Sequence, residues 1–248
     1  MPTRTISYGK CFVCGQTFAK NTIGRHLAKC VPAHDTSGHQ KRLYHLSIEG
    51  KDRPEYWLHI EIPADHTLSQ LDGFLRAIWL ECCGHLSAFT IHGVSYDSNA
   101  DEEEDFALPF PGLGFEPFGS RASMDVPLSQ VLSPGDRFRH EYDFGTTTEL
   151  ALKVVSERKG QAPAGGKGVR ILARNYAPVI PCSACGERAG WLYYEDYAPY
   201  CDSHAEDHPE WPDSFLPLVN SPRTGDCGYD GTYYEALVFE ETAPPVGE

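Results

Sequence analysis

Alternating apolar and polar positions indicate β-strands through the middle of the chain. Residues 43–49 and 57–62 alternate in part, as expected for strands with one covered face. Residues 50–54 between them contain Gly50 and Pro54, which favour a turn, so the two segments predict a β-hairpin. Further strand-like segments lie at 88–96, 137–144 and 149–155.

One helix is predicted after this hairpin. Apolar residues recur at helical spacing from Leu68 to Trp79 and form one apolar face. Thr67 and Gln70 have the spacing of a capping box, in which each side chain binds the backbone N–H of the other residue, and Gly84 is a stop signal. The element order β-β-α-β-β-β predicts an α+β fold, a mostly antiparallel sheet with one main packed helix.

Composition and length are those of a globular protein. The 248 residues are 41% hydrophobic and 23% charged, enough to form a sizeable core. No apolar run approaches the roughly 18–20 residues of a membrane-spanning helix, and the first residues lack the apolar segment of a secretory signal. We therefore expect a cytoplasmic protein with no membrane partner, in which disulfides are rare and the nine cysteines indicate metal binding or catalysis.

Charge is distributed unevenly along the chain. The formal net charge is -14, but residues 1–45 contain seven Lys and Arg residues and one acid, Asp35. This basic head carries +6, which leaves -20 for the remaining body. The head can contact phosphate groups, whereas the acidic body repels them, so the pattern predicts two separate roles.

The basic head contains a first predicted zinc site. Two cysteines separated by two residues precede a histidine and a cysteine at positions i and i+4, which share one face of a helix. Zinc binds four such nitrogen and sulfur ligands in a tetrahedron. The predicted ligands are Cys11, Cys14, His26 and Cys30. Ile23, Leu27 and Phe18 would form the small core of this zinc finger.

Three basic residues of the finger are candidates for binding nucleic acid. Arg25 and Lys29 lie four residues apart on the predicted helix, away from the ligands, and Lys20 precedes them. This edge could contact phosphates. A single finger reads only about three base pairs, so contact with a protein and a purely structural role for the zinc stay open.

The C-terminal part contains a second predicted zinc site. Cys182 and Cys185 form a zinc-knuckle turn, and Gly186 relieves backbone strain after the second ligand. Cys201 and His204 follow and complete a closed site, with His208 as the alternate fourth ligand. Four protein ligands leave no open position, which favours structural zinc and gives an expected total of two zinc ions.

Three further cysteines have less clear roles. Cys82, Cys83 and His85 could form a cysteine–histidine nucleophile, but adjacent cysteines at a helix end are more often packing residues. Cys227 is expected to be a small buried hydrophobic residue, with a second option as an alternate ligand of the C-terminal zinc. The acidic residues 101–105 are expected to form a solvated loop.

Several segments resemble a known family. The motifs are Trp-Leu-His-Ile-Glu-Ile-Pro at 57–63, Thr-Leu-x-x-Leu at 67–71, His-Leu-x-x-Phe at 85–89 and Tyr-Asp-Phe-Gly at 142–145. With them, residues 44–155 resemble the plasmid pRiA4b Orf-3-like family. Cys182, Cys185 and residues 221–229 resemble an extension found in some members.

The resemblance implies an α+β fold and a link to plasmids and mobile elements, but no known reaction. Members often continue the Tyr-Asp-Phe-Gly motif with an acid, a tryptophan and a histidine. Residues 146–149 are Thr-Thr-Thr-Glu here, so this chain departs from that pattern.

These patterns predict a finger at 1–33, an α+β domain at 42–160 and a zinc-knuckle extension at 169–248 packed on that domain. The leading hypothesis is a non-enzymatic zinc adaptor. Its finger recruits it to nucleic acid or to a partner bound there, and its acidic body presents a protein- or ligand-binding surface around His85, Tyr96, Tyr142 and Asp143.

Two alternatives make different structural demands. An enzyme would use His85 and Asp143 as acid and base, and both would lie within hydrogen-bond reach in one pocket. A pure protein-interaction module would use both zinc ions only as structural links.

Overall fold

The computed structural model describes residues 6–35, 40–98, 121–161, 168–231 and 235–244. The acidic residues 101–105 and residues 162–167 of a glycine-rich connector lie outside these ranges. Thirteen strands occur in the described residues: β1 (Tyr8–Cys11), β2 (Thr17–Ala19), β3 (Gln40–Gly50), β4 (Trp57–Pro63), β5 (Ser87–Ile91), β6 (Val94–Asp97), β7 (Arg121–Ser123), β8 (Arg137–Tyr142), β9 (Thr148–Gln161), β10 (Arg170–Asn175), β11 (Trp191–Tyr193), β12 (Ala198–Tyr200) and β13 (Phe215–Pro217).

The first ten strands form one large sheet in the order β2-β1-β10-β4-β3-β9-β8-β5-β6-β7. Its described strand pairs are antiparallel except β6 with β7. The last three strands form a small sheet in the order β12-β11-β13. The predicted α+β class with a mostly antiparallel sheet is confirmed.

Helices are few. The described residues contain α1 (Lys20–Ala33), α2 (Leu68–Leu75), α3 (Leu128–Val131) and α4 (Asp202–Glu206), with a π-helical turn at Arg76–Leu80 directly after α2. The predicted capping box starts α2: the Gln70 N–H donates to Thr67 Oγ1 at 3.2 Å, and the Thr67 N–H donates to Gln70 Oε1 at 3.0 Å. None of these helices has the length and apolar character needed to cross a bilayer.

The main core lies between α2 and one face of the large sheet. Leu68, Leu71 and Leu75 of α2 are fully buried against Leu58 and Ile60 of β4 and their neighbours. Each such side chain contributes about 1.5–3 kcal/mol by leaving water. This packing explains the helical spacing of apolar residues in the sequence.

The opposite face of β4 is also buried, because α1 covers it. Ile23 and Leu27 of α1 pack with Trp57, and Leu172 of β10 joins the same cluster. All seven residues of β4 are buried. The polar members of the alternating pattern therefore lie under a helix rather than in solvent.

The N-terminal finger is continuous with the large sheet. Strand β1 pairs antiparallel with β10, and Gly9 lies opposite Asn175. A Cβ at Gly9 would lie 2.3 Å from the Arg174 carbonyl oxygen and 2.5 Å from the Trp57 ring, so only glycine allows this approach. The domain boundaries stay predictions, but finger and body share one sheet.

Candidate metal centres

The predicted finger ligands come together at one end of the large sheet. The donor atoms of Cys11, Cys14, His26 and Cys30 all lie within 4.8 Å of one another. Cys14 Sγ is 3.4 Å from His26 Nε2. Zn–S bonds of about 2.3 Å and Zn–N bonds of about 2.0 Å place tetrahedral ligand atoms roughly 3.5–3.8 Å apart. The donor set therefore fits a zinc ion.

Local structure positions these four ligands. Cys11 ends β1, and the following turn is closed by the Gly15 N–H, which donates to the Cys11 carbonyl at 2.8 Å. His26 and Cys30 are one helical turn apart on α1. Phe18 stacks on the His26 ring at a centroid distance of 3.9 Å. Burial lowers the pKa of His26, with a smaller contribution from His34, and favours the neutral ring that binds metal.

The second predicted ligand set is also assembled. The donor atoms of Cys182, Cys185, Cys201 and His204 lie within 4.8 Å of one another. Cys185 Sγ is 3.7 Å from Cys201 Sγ, which is 3.1 Å from His204 Nδ1. Hydrogen bonds from Ser203 and from the backbone and ring of His204 lower the pKa of Cys201 to about 6. A thiolate, the form that binds zinc, is thus favoured.

The alternate ligand His208 lies in a different environment. Its ring packs against the aromatic rings of Tyr193, Tyr200 and Phe215. Its Nδ1 accepts a hydrogen bond from the Glu210 N–H at 3.3 Å. His204, not His208, belongs to the assembled donor set.

A third cysteine–histidine cluster is present that the sequence patterns do not predict. Cys82, Cys83, His85 and Cys227 have donor atoms within 4.8 Å of one another. Cys227 is exposed, so the expectation of a buried hydrophobic residue is wrong. It lies with Cys83 and His85 rather than in the C-terminal donor set, so the second option is also wrong. Cys82 and Cys83 both belong to this cluster, and Cys83 is exposed.

One sequence signal connects this cluster with the other two. A glycine directly follows one ligand in each predicted site and two cysteines of the third cluster. Each of these glycines has a positive φ, between 69° and 79°, which other residues rarely adopt. The pairs are Cys14-Gly15, Cys83-Gly84, Cys185-Gly186 and Cys227-Gly228.

The predicted acid–base pair is close in space but already engaged. His85 Nε2 is 3.5 Å from Asp143 Oδ2. That oxygen accepts a hydrogen bond from Arg223 at 2.7 Å, and Asp143 Oδ1 accepts from the Gly145 and Thr146 N–H groups. Burial would raise the pKa of Asp143, but these bonds hold it below its ordinary value. Asp143 is thus a structural acceptor, and we assign it no acid–base role.

Two of the four residues that are expected to form a binding surface are not exposed at the surface of the protein. Tyr142 is fully buried and Asp143 nearly so, whereas Tyr96 is half-buried. A groove of about 530 Å³ lies nearby, and its described lining includes Cys82 and Cys83 but neither His85 nor Asp143.

Most basic residues of the head are paired with acidic residues. Lys20 forms an ion pair with Glu49 at 2.5 Å and donates to the Pro54 carbonyl at 2.6 Å. The other pairs are Lys10 with Glu241, Lys41 with Asp65 and Arg42 with Glu157. Arg25 and Lys29 are exposed, and neither has a carboxylate within 4.0 Å among the described residues.

Comparisons with known proteins identify a family but no activity. A crystal structure titled "Protein of Unknown Function MM3350 from Methanosarcina mazei Go1" is 17% identical, with a TM-score of 0.40, and covers 59% of this chain and 75% of that one. Comparison with curated proteins gave no match. The sequence profile described as "Plasmid pRiA4b ORF-3-like protein" matches residues 42–207, about two thirds of the chain. The chain therefore belongs to the plasmid pRiA4b ORF-3-like family.

Proposed function

We propose that this protein is a non-enzymatic, cytoplasmic zinc protein that attaches to nucleic acid through its N-terminal finger. Arg25 and Lys29 on α1 contact phosphates, and the acidic body binds a protein partner. In this role the protein is an adaptor between the two. Lys20 is omitted from the contact residues because its ammonium group is held by Glu49.

The donor chemistry supports zinc at both predicted sites. Each offers three thiols and one imidazole in a closed set of four, the arrangement of structural zinc sites. Thiolates select zinc over magnesium or calcium. A bound ion links β1 to α1 in the finger, and the zinc-knuckle turn to α4 in the C-terminal part.

One observation carries the nucleic-acid contact. Four basic residues of the head are neutralised by carboxylates, whereas the exposed Arg25 and Lys29 have no carboxylate within 4.0 Å in the part of the chain that the structure describes. They lie one helical turn apart on the outer side of α1, whose inner side packs on the sheet. Two neighbouring cations on a rigid helix suit contact with a phosphate backbone.

The test is fluorescence anisotropy with labelled random duplex and single-stranded oligonucleotides over a range of salt concentrations. The double variant Arg25→Ala/Lys29→Ala should bind more weakly, and its slope of log K against log salt should fall by about 2. The matched control, Arg137→Ala/Lys159→Ala, removes the same charge from exposed positions of β8 and β9. It should bind nearly as well as wild type and keep the wild-type salt slope.

Two outcomes would overturn the nucleic-acid role. One is no measurable binding of either strand form at low salt by the zinc-loaded protein. The other is equal weakening in the two double variants, which would indicate a nonspecific effect of net charge. In both cases, partners that survive nuclease treatment in a pull-down would indicate a protein-interaction module with purely structural zinc.

A further inference from the structure

The nine cysteines of the chain divide completely among three clusters. Each cluster holds three cysteines and one histidine, and no cysteine is left over. Nine is an odd number, which does not suit a set of disulfides, but it gives three cysteines to each of the three clusters. The cluster of Cys82, Cys83, His85 and Cys227 thus has the same ligand composition as the two predicted zinc sites.

Its geometry also suits a tetrahedral ion. Cys83 Sγ is 3.5 Å from Cys82 Sγ and 3.9 Å from Cys227 Sγ. His85 Nε2 is 2.9 Å from Cys83 Sγ and 3.3 Å from Cys227 Sγ. These separations scatter around the roughly 3.5–3.8 Å expected between zinc ligands. They range from 2.9 to 3.9 Å, against 3.1 to 3.9 Å for the separations within the C-terminal set.

We propose that Cys82, Cys83, His85 and Cys227 bind a third zinc ion. The ion ties the segment directly after the π-helical turn to a C-terminal segment 142 residues beyond His85. All four positions of the tetrahedron are taken by protein, so this zinc is a structural clamp.

The backbone at both ends of the clamp adopts the conformation seen at the other sites. Gly84 has a φ of 79° and Gly228 a φ of 69°, each directly after a ligand. Cys227 itself has a φ of 49°, which is uncommon for a residue with a side chain. Such a conformation persists where surrounding interactions enforce it, and a metal bond to Cys227 supplies that constraint.

Buried charge around the cluster complements a zinc–thiolate centre. Three thiolates and one Zn²⁺ carry a net charge of -1. The fully buried Arg223 donates from Nη2 to Cys82 Sγ at 3.4 Å and to the Asp143 carboxylate at 2.7 Å, so its positive charge is shared between the thiolate and the carboxylate. Tyr142 Oη is 3.9 Å from the same sulfur. Such outer contacts orient metal ligands, and one segment supplies both Arg223 and Cys227.

The primary test is the metal content of the full-length protein, purified under reducing conditions without chelator. Elemental analysis should give about three zinc ions per chain, one for each closed set of ligands. Cys227→Ser should lose one ion and keep the other two. His92→Ala, which replaces an exposed histidine outside the clusters, is the matched control and should keep all three.

A second measurement avoids dependence on a variant that fails to fold. Wild-type protein loaded with ¹¹³Cd should give three separate cadmium resonances, and its thiols should stay unreactive until a chelator is added. Two zinc ions per folded chain, together with reactive thiols at Cys82, Cys83 and Cys227, would overturn the proposal. A Cys83–Cys227 disulfide found by mass spectrometry in the native protein would overturn it too. Neither result depends on nucleic-acid binding by the finger.

Discussion

Two buried histidines on the covered face of the sheet link stability to pH. His59 of β4 and His45 of β3 share a hydrogen bond of 2.8 Å beneath α1. Burial lowers the pKa of His45 to about 4, with a smaller contribution from Arg158, and that of His59 to about 3, with smaller contributions from His45 and Lys20. Both rings are therefore neutral in the folded protein at pH 7.

We expect the free energy of unfolding to fall as the pH drops below about 6.5. The unfolded rings have a pKa near 6.5 and bind protons that the folded rings exclude, so stability is lost between pH 6.5 and about 3. His59→Gln removes one such protonation site. Between pH 7 and pH 5 the free energy of unfolding of this variant should therefore fall by about 2 kcal/mol less than that of the wild type. Urea denaturation at a series of pH values measures this difference.

The control is His92→Gln, whose side chain is exposed. It should keep the wild-type pH slope. Loss of metal at acid pH affects all three proteins alike and cancels in the comparison. Identical slopes for wild type and His59→Gln would show that the buried pair is not the cause.

Arg223 is a fully buried charged side chain in the segment 221–229. It donates to Asp143 Oδ2 at 2.7 Å, to Thr148 Oγ1 at 3.0 Å and to the Thr146 carbonyl at 3.1 Å. Arg223→Met leaves the Asp143 carboxylate buried without its partner, and we expect a loss of about 3–5 kcal/mol. Chemical denaturation with zinc present measures it.

An exposed arginine provides the comparison for this loss. Arg139→Met removes a half-exposed side chain that is 3.5 Å from Glu149, and should cost less than about 1 kcal/mol. Equal losses in the two variants would contradict a special role for Arg223. The sequence alone marks the Ser-Pro-Arg-x-Gly-x-Cys-Gly-Tyr segment as unusual, but it does not show where Arg223 binds.

The ligands of the third cluster show why local spacing predicts only some sites. In the finger, Cys11 and Cys14 form one short-range pair and His26 and Cys30 another. The spacing within each pair is enough to predict that site from the sequence. Cys227 meets Cys83 from 144 residues away, and the adjacent Cys82 and Cys83 have no familiar ligand spacing. Only the fold brings these residues together.

Secondary-structure elements with strong local sequence signals are predictable. Elements whose ends depend on pairing with a distant strand or on an unrecognised turn are not. The capping box at Thr67 and the β3–β4 hairpin follow from the sequence. The predicted strand 88–96 is instead a hairpin of β5 and β6, because His92 and Gly93 turn the chain with positive φ. Strand β9 extends to Gln161, beyond the predicted end at 155, because it pairs along the whole of β3.

The contact of β1 with the sheet depends on one glycine. Gly9→Ala places a methyl group within 2.5 Å of both the Arg174 carbonyl oxygen and the Trp57 ring, so β1 must move away from β10. We expect a loss of about 1–3 kcal/mol. Hydrogen exchange should show weaker protection in β1 and β10, with β8 unchanged.

Gly73→Ala is the matched glycine control. Gly73 is an exposed position of α2, and a Cβ there meets nothing within 4 Å. Because alanine favours a helix, this change should be neutral or stabilising by up to about 1 kcal/mol. Destabilisation by both variants, or by neither, would contradict a steric role for Gly9.

In the molecule as a whole, a large apolar core in the centre is joined to an N-terminal finger and a C-terminal segment whose own apolar cores are small. The main cluster packs α2 against β3, β4, β8 and β9 and contains no ligand of the two predicted zinc sites. The finger adds a smaller cluster that includes Cys11 and Cys30 themselves. The segment around β11, β12 and β13 contains packed aromatic rings and the donor set of Cys182, Cys185, Cys201 and His204.

Removing zinc should therefore unfold the two flanks, which are the N-terminal finger and the segment around β11, β12 and β13, before the apolar centre of α2 and the large sheet. A chelator takes away the links between ligands whose own apolar cores are small, and metal binding in such units is coupled to folding. Hydrogen exchange measured by mass spectrometry should show lost protection in β1, β2, α1 and α4, and in β11, β12 and β13. Strands β3, β4 and β9 should stay protected because their core needs none of these ligands.

Adding zinc back should restore protection in the flanks, which separates metal loss from irreversible damage. Loss of protection in β3 and β9 at the same chelator concentration would show that the metals support the whole fold. Unchanged exchange in α1 and α4 after complete metal removal would show that packing alone maintains the flanks. Either result would contradict the division between an apolar centre and metal-stabilised flanks.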